Sequence, residues 1–236
     1  MICTFVDTQK DKDTINDLIK EQIKSSFIIN DPDGKTYENC KDNLDGYKVE
    51  IIGFGDDTKA YNPFSFVKNE EDVKTLAHSI TENCIADEGF YIRDPFWLNL
   101  TTDLTEALIS MTCLKDYGID KSFEGLIEYI DKYPTKEIRD FIKDNTIKGL
   151  SDRTFNGALT TVKDRLERLN NNFYSKQNEE FFDLEKALSE KTAIFIRYPE
   201  KMNINSYVNI IQSQIKERDD IDFCFFVSHN DHIFRK

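Results

Sequence analysis

The amino-acid sequence predicts an α/β fold, in which a base with a parallel sheet carries a large inserted all-α helical domain. Short apolar runs alternate with helical stretches near both ends of the chain, whereas residues 69–189 show helical periodicity throughout. The length of 236 residues suits one large domain or two small ones. The expected division is therefore 1–60 plus 190–236 for a reduced α/β base and 61–189 for the all-α domain.

The first half of the base is predicted from apolar runs separated by turn residues. Apolar spacing indicates a helix over residues 14–24, and the apolar strand 26–30 follows it. This strand ends at the turn sequence of residues 31–34, Asp-Pro-Asp-Gly. A second helix is expected over residues 37–44 and a second strand over 47–54. Strands separated by helices at such short intervals indicate a parallel sheet, because parallel strands need crossover connections.

The middle of the chain is predicted to be helical and acidic. Apolar residues at helical spacing occur over residues 73–80, 97–114, 123–130 and 155–169. Asp94 and Pro95 indicate a helix start, because proline is favoured in the first turn after a capping residue. Ser122 is expected to cap the helix over residues 123–130. The stripe that begins at Trp97 is expected to face the core. Residues 61–189 contain 24 acidic and 16 basic side chains, so they carry −8 of the net charge of −13.

The α/β pattern returns in the last part of the chain. A strand is expected over residues 192–197, a helix over 205–217 and a final strand over 222–227. The all-helical region is thus expected to be an insertion between the strands of one sheet.

Composition excludes several functional classes. A net charge of −13 argues against direct nucleic-acid binding, which needs clustered Lys and Arg. No apolar run reaches the roughly 18 residues that a membrane-spanning helix needs. The five cysteines are scattered without CxxC spacing, as in a protein with reduced thiols. The chain is expected in the bacterial cytoplasm, with recruitment to the inner face of the membrane as an option.

Two motifs resemble parts of a nucleotide site. Residues 33–36, Asp-Gly-Lys-Thr, look like the end of a phosphate loop, but the sequence contains no GxxxxGK[ST] motif. A turn between a strand and a helix is therefore expected there. Residues 222–227 have the apolar pattern of a Walker B strand, yet Ser228 and His229 follow it in place of acidic residues. Since neither can supply the anionic oxygens that Mg²⁺ and a general base require, no catalytic residue and no cofactor is expected.

A metal site is not expected either. His229 and His232 are spaced as HxxH with Asp231 between them. A metal would need a third ligand placed by the fold, so solvated histidines are the favoured interpretation.

The ordered segments resemble the conjugative coupling ATPases of type IV secretion systems, the TraG/TraD type. The resemblance covers about residues 26–227, and its most specific parts are the YNPF and DPFW sequences. It implies a partial RecA-like sheet as the base. The matching signature residues, expected to be mainly structural, are Asp31, Gly34, Tyr61, Asn62, Pro63, Phe64, Asp94, Pro95, Phe96 and Trp97.

The family resemblance implies a hexameric, membrane-associated motor that recruits relaxase–DNA cargo through its all-α domain. Because the nucleotide motifs are altered, the expected function is a catalytically inactive relative that docks a relaxase or a relaxosome accessory protein. The docking residues are not assigned beyond the range 69–189. Three alternatives stay open: an ATP-binding subunit that completes a composite site with an active coupling ATPase, a regulatory subunit that caps its ring, and a folded product without a role.

Overall fold

The computed structural model describes residues 2–5, 17, 25–88, 94–115, 117–133, 135–141, 149–199, 201–216 and 223–227. The chain divides into two compact units. The first contains residues 1–61, 176–205 and 218–236, and the second contains residues 62–175 and 206–217.

The strands of the first unit form one parallel sheet. In the described part of the chain they are β1 (Ile2–Phe5), β2 (Ser26–Asn30), β3 (Lys48–Gly53), β4 (Thr192–Arg197) and β5 (Phe223–Val227). Their order is β1-β5-β2-β4-β3, and every neighbouring pair is parallel. The predicted parallel sheet is confirmed. The sequence did not predict β1, whose four residues are too few to show a period; Ile2 pairs with Cys224 in β5.

Within the described ranges, the helices are α1 (Lys35–Cys40), α2 (Glu70–Glu88), α3 (Pro95–Cys113), α4 (Phe123–Lys132), α5 (Thr135–Phe141), α6 (Asp152–Asn172), α7 (Leu184–Ser189) and α8 (Asn205–Lys216). Short 3-10 turns occupy Lys41–Asn43, Pro63–Phe66 and Tyr174–Lys176. The helix predicted over residues 14–24 lies outside the described residues except for Asp17, which is helical. Among the described residues, no helix is long and apolar enough to span a bilayer.

The core of the first unit lies where α1 packs on the middle of the sheet. Phe27 of β2 and Phe195 of β4 are fully buried, and their rings meet edge to face with centroids 6.2 Å apart. Tyr37 of α1 contacts Phe195 in the same geometry at 5.2 Å. Both strands are apolar on both faces, since residues pointing to either face are buried. The remaining buried members of this cluster are Ile29, Cys40, Leu44 and Ala193.

The second unit is built from helices, with α6 in contact with α2, α3 and α4. Its buried residues follow the predicted apolar stripes; among them are Leu76, Leu104, Leu108, Leu126, Phe155 and Leu166. The two predicted helix starts are confirmed. The Asp94 side chain accepts a hydrogen bond from the amide of Phe96 at 3.0 Å, and Ser122 Oγ accepts one from the amide of Gly125, also at 3.0 Å.

The boundaries of the two units differ from the expected ones at α8 and at residues 176–189. Tyr207 of α8 stacks near Tyr174, with ring centroids 5.7 Å apart, and Gln214 donates a hydrogen bond to the carbonyl of Pro63 at 2.9 Å. These contacts place α8 in the helical unit, although it connects two strands of the sheet. Residues 176–189 belong to the first unit, where Asn178 donates to the carbonyls of Gly55 and Thr58.

An exposed glycine in the middle of α6 gives a prediction on stability. A Cβ atom built on Gly157 would lie 3.6 Å from Cη2 of Trp97, an ordinary contact distance. Replacing Gly157 by Ala is therefore expected to raise the free energy of unfolding by about 0.5–1 kcal/mol, since glycine weakens a helix interior by that amount. Urea unfolding followed by circular dichroism measures this change. An unchanged or lowered midpoint would show that the helix needs glycine at this position.

Candidate functional site

The carboxyl edge of the sheet is the place where an α/β protein of this kind carries its ligands. Because the strands are parallel, β2, β3 and β4 end at the same edge, with Asp31, Gly53 and Arg197 at or directly after their last positions. The residues at the altered Walker B positions, Ser228 and His229, follow β5 and lie outside the described residues. The segments that follow β2, β3 and β4 are therefore the described connections at this edge.

Asp31 is completely buried and holds the loop between β2 and α1. Its carboxylate accepts hydrogen bonds from the backbone amides of Thr36 at 2.8 Å and Tyr37 at 3.0 Å. Its own amide donates to the carbonyl of Ile196 in β4 at 2.9 Å. Both carboxylate oxygens thus satisfy the first turn of α1, where backbone amides have no partner within the helix. The predicted turn at residues 33–36 is confirmed, and α1 begins inside it at Lys35.

Arg197 ends β4 and fixes the two loops beside it. Its guanidinium forms an ion pair with Asp57 and lies against Gly34, where an added Cβ would come within 3.1 Å of Nη2. Gly34 has a φ of 73°, a left-handed conformation that glycine adopts at little cost. Sequence reasoning missed Arg197 and Asp57. The available signal was a single charged residue at the end of the apolar strand β4.

The chemistry at this edge is structural as far as the described residues reach. The Asp31 carboxylate caps a helix, and the Arg197 guanidinium faces a carboxylate. No group of three or more His, Cys, Asp or Glu within the described ranges is placed to hold a metal ion.

Glu50 forms a buried carboxylate site on β3, away from the strand ends. It contacts Lys48 Nζ at 3.0 Å and Lys59 Nζ at 2.9 Å, while its side chain is 7% exposed. Burial opposes ionisation, but the hydrogen bonds and charges of Lys59 and Lys48 outweigh it and hold the pKa of Glu50 below its ordinary value. The ionised carboxylate of Glu50 therefore binds both lysines and stabilises β3 and the segment that follows it.

This ion pair predicts an acid-sensitive contribution to stability. Glu50→Gln is expected to lower the free energy of unfolding by about 1–2 kcal/mol at pH 7, less than a fully buried pair because both lysines are partly exposed. A depressed carboxyl pKa stabilises the fold above the unfolded value, and this stability is lost as pH falls through the folded pKa. The difference in the free energy of unfolding between wild type and variant should therefore shrink as pH falls through the folded pKa of Glu50. Urea unfolding between pH 7 and pH 3 measures it.

The matched control for this pair is Glu38→Gln, which removes an exposed ion pair with Lys41. Exposed pairs contribute little, so its effect should be much smaller than that of Glu50→Gln at every pH. Equal effects of the two substitutions would contradict the role of burial at Glu50.

The YNPF signature makes two kinds of local contact. Tyr61 is buried in the first unit, where its amide donates to Gln177 Oε1 at 2.7 Å. In the second unit Asn62 accepts a hydrogen bond from the amide of Phe64 at 3.0 Å and donates to the carbonyl of Lys121 at 2.8 Å. Pro63 is buried in the 3-10 turn, and the Phe64 ring packs edge to face on Phe123. These side chains hold turns and core rather than face solvent.

The DPFW signature is different, because part of it is exposed. Asp94 and Pro95 form the start of α3, as described above. Trp97 is half-buried beside Gly157, and Phe96 is 47% exposed. The stripe predicted to face the core from Trp97 onward is buried from Leu100 to Met111 but not at Trp97 itself.

Comparison with known proteins gives a family and a fold. A family model described as type IV secretory system conjugative DNA transfer matches residues 14–148, more than half of the chain. Comparison with curated protein sequences gives no match.

Solved structures of a conjugative coupling protein, TrwB, share the fold. An unbound form of TrwB lacking its first segment (ΔN70) matches with a TM-score of 0.63 and 15% identity, covering 96% of this chain and 54% of that one. The complex of TrwB with the ATP analogue ADPNP matches with a TM-score of 0.65 and 15% identity, and the match covers 96% of this chain and 56% of that one. The complex of TrwB with ADP and Mg²⁺ matches with a TM-score of 0.63 and 16% identity, and it too covers 96% of this chain and 56% of that one.

The chain spans about half the length of these coupling-protein chains. At such low identity the structural likeness establishes the fold, whereas the family model establishes membership. The chain belongs to the type IV secretory system conjugative DNA transfer family.

Proposed function

We propose that this chain acts in conjugative DNA transfer as a coupling-protein relative that does not hydrolyse ATP itself and that docks protein cargo through its helical unit. The observation that carries the proposal is the family match over residues 14–148, which runs from the sheet into the helical unit of a chain without a GxxxxGK[ST] motif. The helical unit comprises residues 62–175 and 206–217. The place of action is the cytoplasmic face of the transfer apparatus.

The lack of ATP hydrolysis is supported by sequence and by geometry. ADPNP and ADP with Mg²⁺ are bound in the matched TrwB structures. In this chain, the first glycine of the sequence is Gly34, and Ser228 and His229 stand at the Walker B positions. At the sheet edge, Asp31 and Arg197 are already engaged with a helix start and with Asp57. The carboxylates of Asp31 and Asp57 are therefore already bound and are not available to Mg²⁺.

Docking of a protein is supported by the charge of the helical region. Residues 61–189 carry a net charge of −8, which favours a partner with a basic surface and disfavours DNA. A relaxase or a relaxosome accessory protein is the proposed cargo, since these proteins handle DNA and carry basic surfaces. Such complementarity raises the association rate and makes the binding sensitive to salt.

Two measurements on the full chain test the proposal. Titration with a fluorescent ATP analogue and Mg²⁺ should show no binding at micromolar concentration, while a coupling ATPase with an intact phosphate loop serves as positive control. Micromolar binding would overturn the inactive assignment and favour a composite ATP site. Separately, the relaxase and accessory proteins encoded by the same transfer element should include one that binds, more weakly as salt rises. If none of them binds, cargo docking is wrong.

A further inference from the structure

An aromatic pair is exposed at the start of α3. The Phe96 side chain is 47% exposed, and its ring lies edge-on to the half-buried Trp97 with centroids 5.9 Å apart. Exposed large apolar residues gathered at one spot are typical of interaction surfaces. Aromatic side chains also supply a large share of binding energy at protein interfaces.

The neighbouring helix α6 has a glycine, and not a larger residue, next to this aromatic pair. Gly157 of α6 is exposed and faces Trp97. A Cβ atom at Gly157 would meet the indole only at an ordinary contact distance, so packing within the unit does not require glycine. Glycine at this position places no side chain against the indole.

The same face of α3 continues as an acidic stripe. Asn99, Asp103 and Glu106 follow Phe96 at spacings of three, seven and ten residues, which places them on one side of the helix. Asn99 and Asp103 are exposed, and the Glu106 side chain is 28% exposed. At a rise of about 1.5 Å per residue, Asp103 and Glu106 lie about 10 and 15 Å along the helix from Phe96.

The electrostatics of this stripe favour a positively charged partner. Burial and the nearby carboxylate of Asp103 raise the pKa of Glu106, and Glu70 on α2 adds to the effect. Two groups on α2 oppose it: Lys74, and His78, whose Nε2 atom lies 3.9 Å from Glu106 Oε1. A cation placed beside Asp103 and Glu106 would relieve the repulsion between the carboxylates.

We propose that Phe96, Trp97, Asp103 and Glu106 form a docking surface for a basic amphipathic segment of a protein. An apolar side chain of that segment lies against the aromatic pair, and a Lys or Arg about 10–15 Å further on faces the two carboxylates. A second copy of this chain does not suit the surface, because it would bring a net charge of −13 against an acidic stripe. The inference rests on the proposed cargo docking and names the chemistry of the cargo.

Peptide binding tests this surface on the full chain. Overlapping 20-residue peptides that cover the relaxase and accessory proteins of the same element are labelled and titrated by fluorescence anisotropy. Peptides that can place a Lys or Arg about 10–15 Å from an apolar side chain should bind. Phe96→Ser should weaken that binding by about 30-fold, as loss of an interface anchor does. Asp103→Asn combined with Glu106→Gln should weaken it by about fivefold at low salt and less at high salt.

Two matched controls separate the surface from general effects. Phe181→Ser removes another exposed aromatic ring, and Glu124→Gln combined with Glu128→Gln removes two exposed acids from α4. Both should leave peptide binding unchanged. Phe96 is exposed, so its variant should unfold at the wild-type urea midpoint, which shows that lost binding does not come from lost folding.

The outcomes distinguish this inference from the proposed function. If the full-length relaxase binds the wild type and both surface variants equally, cargo docking stands and this surface is wrong. If no peptide binds the wild type, or if the controls weaken binding as much as Phe96→Ser, the surface is also wrong. If no full-length relaxosome protein binds, cargo docking fails, and peptide binding that depends on Phe96 would still support the surface for another basic protein.

Discussion

Replacing Gly53 by Ala is expected to lower the free energy of unfolding by about 3–5 kcal/mol. Gly53 ends β3 with a φ of 115°, and an added Cβ would lie 2.3 Å from the carbonyl oxygen of Arg197 in β4. The obstacle is backbone, which cannot swing away as a flexible side chain can. That carbonyl also accepts a hydrogen bond from the amide of Phe54 at 2.9 Å, so moving β4 away would cost this bond. Urea unfolding followed by circular dichroism measures the loss.

Gly46→Ala is the matched control for Gly53→Ala. Gly46 also has a positive φ, 81°, but no atom lies within 4 Å of an added Cβ. Its substitution should cost only the left-handed backbone penalty of about 1–2 kcal/mol. Equal losses at the two glycines would show that conformation alone, and not the contact with β4, explains the effect at Gly53.

Phe195→Ala is the second substitution with a large expected effect, about 3–5 kcal/mol. Phe195 is fully buried in the middle of β4 and contacts the rings of Phe27 and Tyr37. Removing the ring leaves a cavity between the sheet and α1 that neighbouring side chains can fill only in part. The loss should appear in urea unfolding and in reduced near-ultraviolet circular dichroism of the aromatic residues.

Phe181→Ala provides the comparison for Phe195→Ala, since its ring is 65% exposed. Its effect should stay within about 0.5 kcal/mol, the range of surface substitutions. A loss at Phe195 no larger than at Phe181 would contradict the assignment of the core to the contact between β2, β4 and α1.

The sequence predicted those elements whose residues interact locally. The strands β2 to β5 have long enough apolar runs, and the helix starts at Asp94 and Ser122 have capping side chains two or three residues from their partners. The strand β1 was missed because four residues show no period and its stability comes from pairing with β5. The placement of α8 was also hidden, since it depends on contacts with Tyr174 and Pro63 far away in the sequence.

In the candidate site, too, local features were predicted from the sequence and features that depend on distant contacts were not. The turn at Asp31 and Gly34 was predicted from its sequence, but the carboxylate of Asp31 acquires its role only by burial against α1. The ion pair of Arg197 with Asp57 joins residues 140 positions apart, and no local pattern indicates it. The exposure of Phe96 was likewise not predictable, because both Phe96 and Trp97 continue an apolar sequence that reads as core.

By itself, the sequence determined the parallel α/β sheet, the helical region that interrupts it, the acidic charge of that region and the family resemblance. These properties follow from periodicity, capping and composition, which act within a few residues along the chain. The tertiary structure decided the strand order, the burial of Asp31 and Glu50, and which of the signature aromatics face solvent. Those properties depend on how distant segments pack, because desolvation and ion pairing arise only where such segments meet.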